Sequence, residues 1–189
     1  MLKTESLKKL AEEMAADKSL PLSTNFVFGE GNPDSGIVFI GEAPGAQEDI
    51  AIRPFVGRGG QLLRKNIRDI GWREEDVYIT NIVKRRPPDN RDPLPEEIAA
   101  YAPYLARQIK ILSPHIIIPL GRFSMNYFLP DAKISREQGK IFKLHGHCVV
   151  PMFHPAAALR NPASMREFVA TFLKMPKIVA KCREVLAKK

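Results

Sequence analysis

"GIVFIGEAPGAQED", residues 36–49, decides how the chain folds. The run from Ile37 to Ile40 is short, unbroken and rich in β-branched residues, the pattern of a strand buried on both faces of a parallel sheet. A loop follows at once, holding Gly41, Pro44, Gly45 and three acids, Glu42, Glu48 and Asp49. Three more runs share the pattern: "VYITNIV" (77–83), "HIIIPLG" (115–121) and "CVVPMF" (148–153). Between them lie the amphipathic stretches "GGQLLRKNIRDIG", "PEEIAAYAPYLARQIKIL" and "RFSMNYFL". Leu2, Leu7, Leu10 and Met14 recur at helical spacing and predict a first helix over about residues 4–16. A long basic helix is expected from about 163 to 188. Alternation of strand and helix predicts an α/β fold, a three-layer α/β/α sandwich around a four-stranded parallel sheet with right-handed crossovers.

Size and charge narrow the function. The 189 residues, 44% hydrophobic and 26% charged, suit a single domain over 1–189 with one real core. The 29 Lys and Arg against 21 Asp and Glu give a formal charge of +8, which favours a polyanionic partner such as nucleic acid, or an acidic membrane surface; charge alone does not choose between them. Cys148 and Cys182 are too few for a disulfide framework, no signal-peptide pattern opens the chain, and no apolar run is long enough to span a bilayer. The expectation is a soluble cytoplasmic protein with no membrane partner.

In open parallel sheets ligands bind beyond the carboxyl ends of the strands. The segments at those ends are "EAPGAQED", Asn81 with "KRRPPDNR", "GRFS" and "HPAAALRNP". They gather carboxylates, Asn amides, a His and several Arg on one rim, a set suited to a polar ring and a phosphodiester. The "GEAPG" loop is a poor phosphate cradle: it lacks the Lys-Ser/Thr of a P-loop and the three-glycine dinucleotide pattern, and its acids would repel phosphate. Phe55, between Pro54 and Gly57, reads either as a stacking platform for a base or as a core residue. "HGHC" puts His145 and His147 on one side of a strand and Cys148 on the other, with His154 further on, so a turn entering the fourth strand explains it better than a metal site does.

Taken together, "VFGEGNPDSGIVFIGEAPGAQED", "RPFVGRGGQLL", "VYITNIVKRRPPDNRDP", "PYLARQI", "PLGR" and "FHPAAALRNP" resemble the successive motifs of the family 4 uracil-DNA glycosylases, in order and in spacing, from about Phe26 to Pro162. The resemblance implies hydrolysis of the N-glycosidic bond of uracil flipped out of single- or double-stranded DNA, in base excision repair, by a monomer associated with the nucleoid through its DNA. It implies a uracil pocket of Gly41, Glu42, Ala43, Phe55, Asn81 and His154. Phe55 matches the stacking aromatic, Asn81 the amide that reads N3–H and O4, and His154 the donor beside O2. Glu48 is expected near C5, where thymine must be excluded. Related families carry an Asp where this chain has Ala43, so the water-orienting acid is Glu42 or, as second choice, Glu48. Asn90 matches a further position near the water. DNA contacts are expected from Arg58, Lys84, Arg86, Arg91, Arg122 and Arg160, with Leu159 as a wedge and further help from the basic segment running to Lys188 and Lys189.

One departure from the family is plain. Its iron-sulfur cluster is held by four cysteines, and the matching positions here are Met14, Asp17, Arg85 and Tyr101, none able to supply a thiolate. No cluster and no other cofactor are expected. Packing by Met14 and Tyr101 and an Arg85–Asp17 pair are the expected replacements. Two other readings stay open: a cluster-less nucleic-acid-binding member with weakened catalysis, and a glycosylase for another deaminated base such as hypoxanthine or xanthine.

Overall fold

The computed structural model describes residues 2–187, so Lys188 and Lys189 lie outside the described residues. In chain order the elements are α1 (Lys3–Ala16), β1 (Glu30–Gly31), β2 (Ile37–Gly41), α2 (Ala46–Ala51), α3 (Arg58–Asp69), β3 (Tyr78–Asn81), α4 (Pro95–Leu112), β4 (Ile116–Pro119), α5 (Arg122–Phe128), α6 (Ile134–Glu137), β5 (Phe142–Leu144), β6 (His147–Val149), α7 (Pro155–Ala158) and α8 (Pro162–Ala187). The sheet order is β1-β3-β2-β4-β6-β5. The four runs singled out above form its parallel centre, β3-β2-β4-β6.

The expected four-stranded sheet is corrected to a mixed sheet of six strands. β1 pairs antiparallel with β3 and β5 antiparallel with β6, closing both edges. These edge strands are two and three residues long, too short for any periodicity to register. The short helices α2, α6 and α7 went unread for the same reason.

Alternation along the strands divides the core into two layers. Ile37, Phe39, Ile79, Ile116 and Ile118 face Leu63 and Ile67 of α3 and Phe168, Phe172 and Met175 of α8. Val38, Ile40, Tyr78, Ile117 and Val149 face Leu7, Leu10 and Met14 of α1 and Tyr101, Leu105 and Ile109 of α4. Every residue of β2, β3 and β4 is buried, as the unbroken apolar runs require. The result is the three-layer sandwich, with helices on both faces of the sheet.

The Arg85–Asp17 pair does not form. Asp17 caps the end of α1, accepting from the Ser19 hydroxyl and from Tyr104 Oη at 2.7 Å. Arg85 instead lies 5.5 Å over the Phe26 ring and donates to the Thr24 carbonyl. Met14 and Tyr101 are fully buried as expected, and Tyr101 Oη donates to the Pro21 carbonyl at 2.9 Å. The segment between α1 and β1 is thus tied down by separate short-range bonds and not by one ion pair.

Ile52 ends α2 in the left-handed region, φ 54° and ψ 34°, and is 57% exposed. A β-branched residue is strained there and gains little burial in return. Ile52→Gly is therefore expected to stabilise the fold by up to about 1 kcal/mol, raising the midpoint of thermal unfolding. An unchanged or lowered midpoint would show that the strain is already relieved by contacts of Ile52.

Candidate active site

A cleft of about 510 Å³ opens at the carboxyl ends of the central strands. It is lined by Glu42, Ala43, Glu48, Phe55, Asn81, Asn90 and His154, with Arg58, Arg91, Arg122 and Arg160 at its walls. The parallel register builds its floor. Gly41 and Asn81 are paired at the ends of β2 and β3, and a Cβ on Gly41 would overlap both Asn81 Oδ1 and the Phe55 ring. Glycine here lets the amide and the ring meet over the strand end.

Phe55 is held from behind. Its φ is 54°, its backbone lies where a Cβ on Gly60 would be, and Arg64 Nε donates to its carbonyl at 2.8 Å. Arg64 also donates to the Pro54 carbonyl and is anchored by Glu30 and Glu74. Arg64 and Gly60 were missed in the sequence. Arg64 reads there as one more polar residue of an amphipathic helix, since its partners come from three separate segments.

Asn81 is 1% exposed, and its Oδ1 accepts no hydrogen bond, the one such buried side-chain atom among the described residues. A buried acceptor left open costs about 1–3 kcal/mol, so the fold retains it against its own stability. His154 stands 5.9 Å from the Phe55 ring, centre to centre, at the start of α7. Its Nδ1 accepts from the Ala156 amide at 3.2 Å, which leaves the proton on Nε2. Burial, opposed by the Glu48 charge and aided by Arg160, pushes the imidazole down to about 4, so it is neutral at physiological pH. Gly121, at φ 87°, is needed beside it, because a Cβ there would press on the His154 Cβ.

The two candidate acids are in different states. Glu48 Oε1 accepts from the Val56 and Gly57 amides at 2.9 and 2.7 Å, and Oε2 from the Gly45 amide at 3.2 Å. It is a brace that holds the first loop against the segment carrying Phe55. Among the described residues nothing donates to the Glu42 carboxylate. Burial, with the Asp92 charge adding and Arg122 opposing, raises Glu42 to about 7. A half-buried carboxyl poised at that value in a cleft fits proton transfer.

The outer residues separate into two groups. Arg58 and Arg160 are exposed at the mouth, and Leu159, next to Arg160 in the chain, is 37% exposed. Arg122 bonds Asp92 at 2.5 Å and stacks on Phe123, with both charged side chains 63% exposed. Arg86 Nε donates to Asn90 Oδ1 at 2.7 Å, and Arg91 grips Glu97 with both terminal nitrogens. Lys84 must be corrected. It is fully buried, its ammonium folded under the end of β3 onto Thr80, Asn81 and Gln108, and it cannot touch DNA.

The comparisons with known proteins agree with this geometry. The profile of the uracil DNA glycosylase superfamily matches residues 28–177. The type-4 uracil-DNA glycosylase of Archaeoglobus fulgidus is 40% identical, over 96% of this chain and 98% of its own. The chain belongs to the type-4 uracil-DNA glycosylase family. Members from Thermotoga maritima and Saccharolobus solfataricus are 46% and 48% identical, over 83% and 80% of this chain and 85% and 74% of theirs. Within this type-4 chain the predicted pocket residues do come together: Glu42, Ala43, Phe55, Asn81 and His154 line one cleft, and Gly41 lies under its floor.

Gly41→Ala tests the floor. The added methyl must displace the Asn81 amide or the Phe55 ring, at an expected cost of about 1–3 kcal/mol in chemical denaturation. A variant as stable as wild type would mean that the strand end gives way freely.

Proposed function

We propose that this chain is a uracil-DNA glycosylase that cleaves the bond between N1 of uracil and C1′ of deoxyribose and leaves an abasic site. It acts as a monomer on single- or double-stranded DNA, in the cytoplasm and on the nucleoid. The observation that carries the reading is the open Asn81 Oδ1, a buried acceptor aimed into a cleft beside a neutral imidazole and an aromatic ring. Uracil N3–H completes it, while the Asn81 NH2 donates to O4. Cytosine presents the opposite polarity at both atoms and leaves the amide unpaired.

The remaining roles follow from charge and position. The base must leave the duplex, at a cost of a few kcal/mol that the basic rim and stacking on Phe55 offset. Leu159 fills the space it vacates, while Arg58, Arg122 and Arg160 meet phosphates. His154 donates Nε2–H to O2 as the N1–C1′ electron pair moves onto the departing ring; being neutral, it shares its proton without losing it. Glu42 orients a water toward the oxocarbenium-like C1′ and takes its proton, while its charge favours the cationic sugar. Glu48 and Asn90 hold the loops around that water, and Ala43 leaves room where related families place an acid.

The family cluster does not fit this chain. Its four positions carry no thiolate, and Asp17, Arg85 and Tyr101 are committed to the bonds described above. The purified protein is expected to be colourless and free of iron and acid-labile sulfide. Stoichiometric iron by elemental analysis would contradict this.

A uracil-containing oligonucleotide, single-stranded or paired with G or A, should be cut by alkali after incubation, with no effect of chelator. Asn81→Ala is expected to lose on the order of 100-fold or more in kcat/KM, as when an oxyanion donor is removed. No abasic product at any salt concentration would refute the reading.

Glu42 makes the reaction pH-dependent. Its carboxylate form is the active one, so kcat/KM should rise as pH passes through about 7, while His154, at about 4, adds no limb in that range. The sign for stability is opposite. A folded value above the unfolded 4.5 means that ionising Glu42 opposes folding, an effect absent below 4.5 and complete above about 7. Glu42→Gln should therefore abolish the pH limb and raise the unfolding midpoint at pH 8 but not at pH 4.

A further inference from the structure

The buried Lys84 has no place in the roles above, and its surroundings are unusual. The side chain is 0% exposed, and no carboxylate among the described residues comes within salt-bridge reach of it. Its Nζ meets three oxygens, Thr80 Oγ1, the Asn81 carbonyl and Gln108 Oε1, each at 2.6 Å. Two of these carry no hydrogen. The third, Thr80 Oγ1, gives its only hydrogen to the Phe28 carbonyl at 2.7 Å. Lys84 must therefore donate three times, which only the ammonium can do.

Burial pushes the group well below the ordinary lysine value. The three acceptors and the Phe28 ring, 5.7 Å from Nζ, act in the other direction. Lysine buried without a counter-charge is costly and rarely retained for packing alone. The strand end that it grips is the one whose side chain forms the floor of the cleft. Thr80 and Gln108 place it on the α4 side of the sheet, while Asn81 points to the opposite, α3 side.

On the reading given above, the departing base leaves with the glycosidic electron pair, and the imidazole that faces it is neutral. A positive charge held in low dielectric behind the pocket lowers the energy of that anion more than that of the neutral bound base. We propose that Lys84 is a positioning residue for glycosidic cleavage, its uncompensated ammonium fixing the Asn81 backbone and biasing the pocket toward the anionic leaving base. It acts through Asn81 and touches neither DNA nor uracil. This inference rests on the proposed activity.

Two variants separate charge from structure. Lys84→Met removes the charge and leaves Gln108 and Asn81 without their donor. Gln108→Glu keeps the ammonium and an oxygen acceptor in place but cancels the charge with a buried carboxylate. Both are assayed on oligonucleotides carrying uracil or 5-fluorouracil, whose anion is the more stable leaving group and needs less help. Each variant is expected to lose on the order of tenfold in kcat on uracil with little change in KM, and distinctly less on 5-fluorouracil. The ratio of the two rates does not depend on the fraction folded, so a destabilised variant remains informative. Equal losses on both bases, or full activity of Gln108→Glu, would overturn the role of the charge while the functional reading stands. Release of neither base by the wild-type chain would overturn both.

Discussion

Gly41 and Asn81 sit opposite one another where β2 and β3 end, and the site depends on how little room there is between them. No side chain can be added at 41 without striking the Asn81 amide or the Phe55 ring. The ring in turn is set by a left-handed backbone at 55, by the bare surface of Gly60 and by Arg64, which draws Pro54 and Phe55 onto α3 while Glu30 and Glu74 hold its other nitrogens. A parallel sheet supplies this kind of junction because all its central strands end at one edge.

The charges around the cleft are sorted by depth. Arginines stand at the mouth, where a polyanion is met in high dielectric. Glu42, half-buried and raised to about 7, lies further in, and His154 is kept neutral by burial. Glu48 sits among three backbone amides and so serves the loop before it serves any reaction. Deepest is Lys84, on the far side of the sheet, in contact with the strand and not with the cleft. Such an order lets a net-basic protein hold phosphate outside and, in the proposed reading, a neutral base and a cationic sugar inside.

On the proposed reading, in which no metal cluster is held, ordinary contacts fasten the region where one would sit. α1 packs on α4 through Met14, Tyr101 and Leu105 in one apolar layer. Asp17 with Tyr104, Tyr101 with Pro21, and Arg85 with Thr24 and Phe26 then fasten the segment leading to β1. Each bond is modest, and together they bridge elements far apart in sequence.

Much of this was legible in the linear chain. Four unbroken β-branched runs separated by helical periodicity leave few folds besides a parallel three-layer sandwich, because strands buried on both faces need helices on both. Strand ends in such a sheet converge whatever lies between them, which put Glu42, Asn81 and His154 on one rim; it was the family resemblance that named them, with Phe55, as pocket residues. Other features were decided only by the tertiary structure. The edge strands β1 and β5 exist because a partner strand offers them hydrogen bonds, not because of their own two or three residues. Lys84 reads as a surface cation until Thr80, Asn81 and Gln108 close around it, and Glu48 as a free acid until three amides from two loops meet it. Pattern along a chain reports burial and period; the partners of a charge are set by which distant segments the packed sheet brings to it.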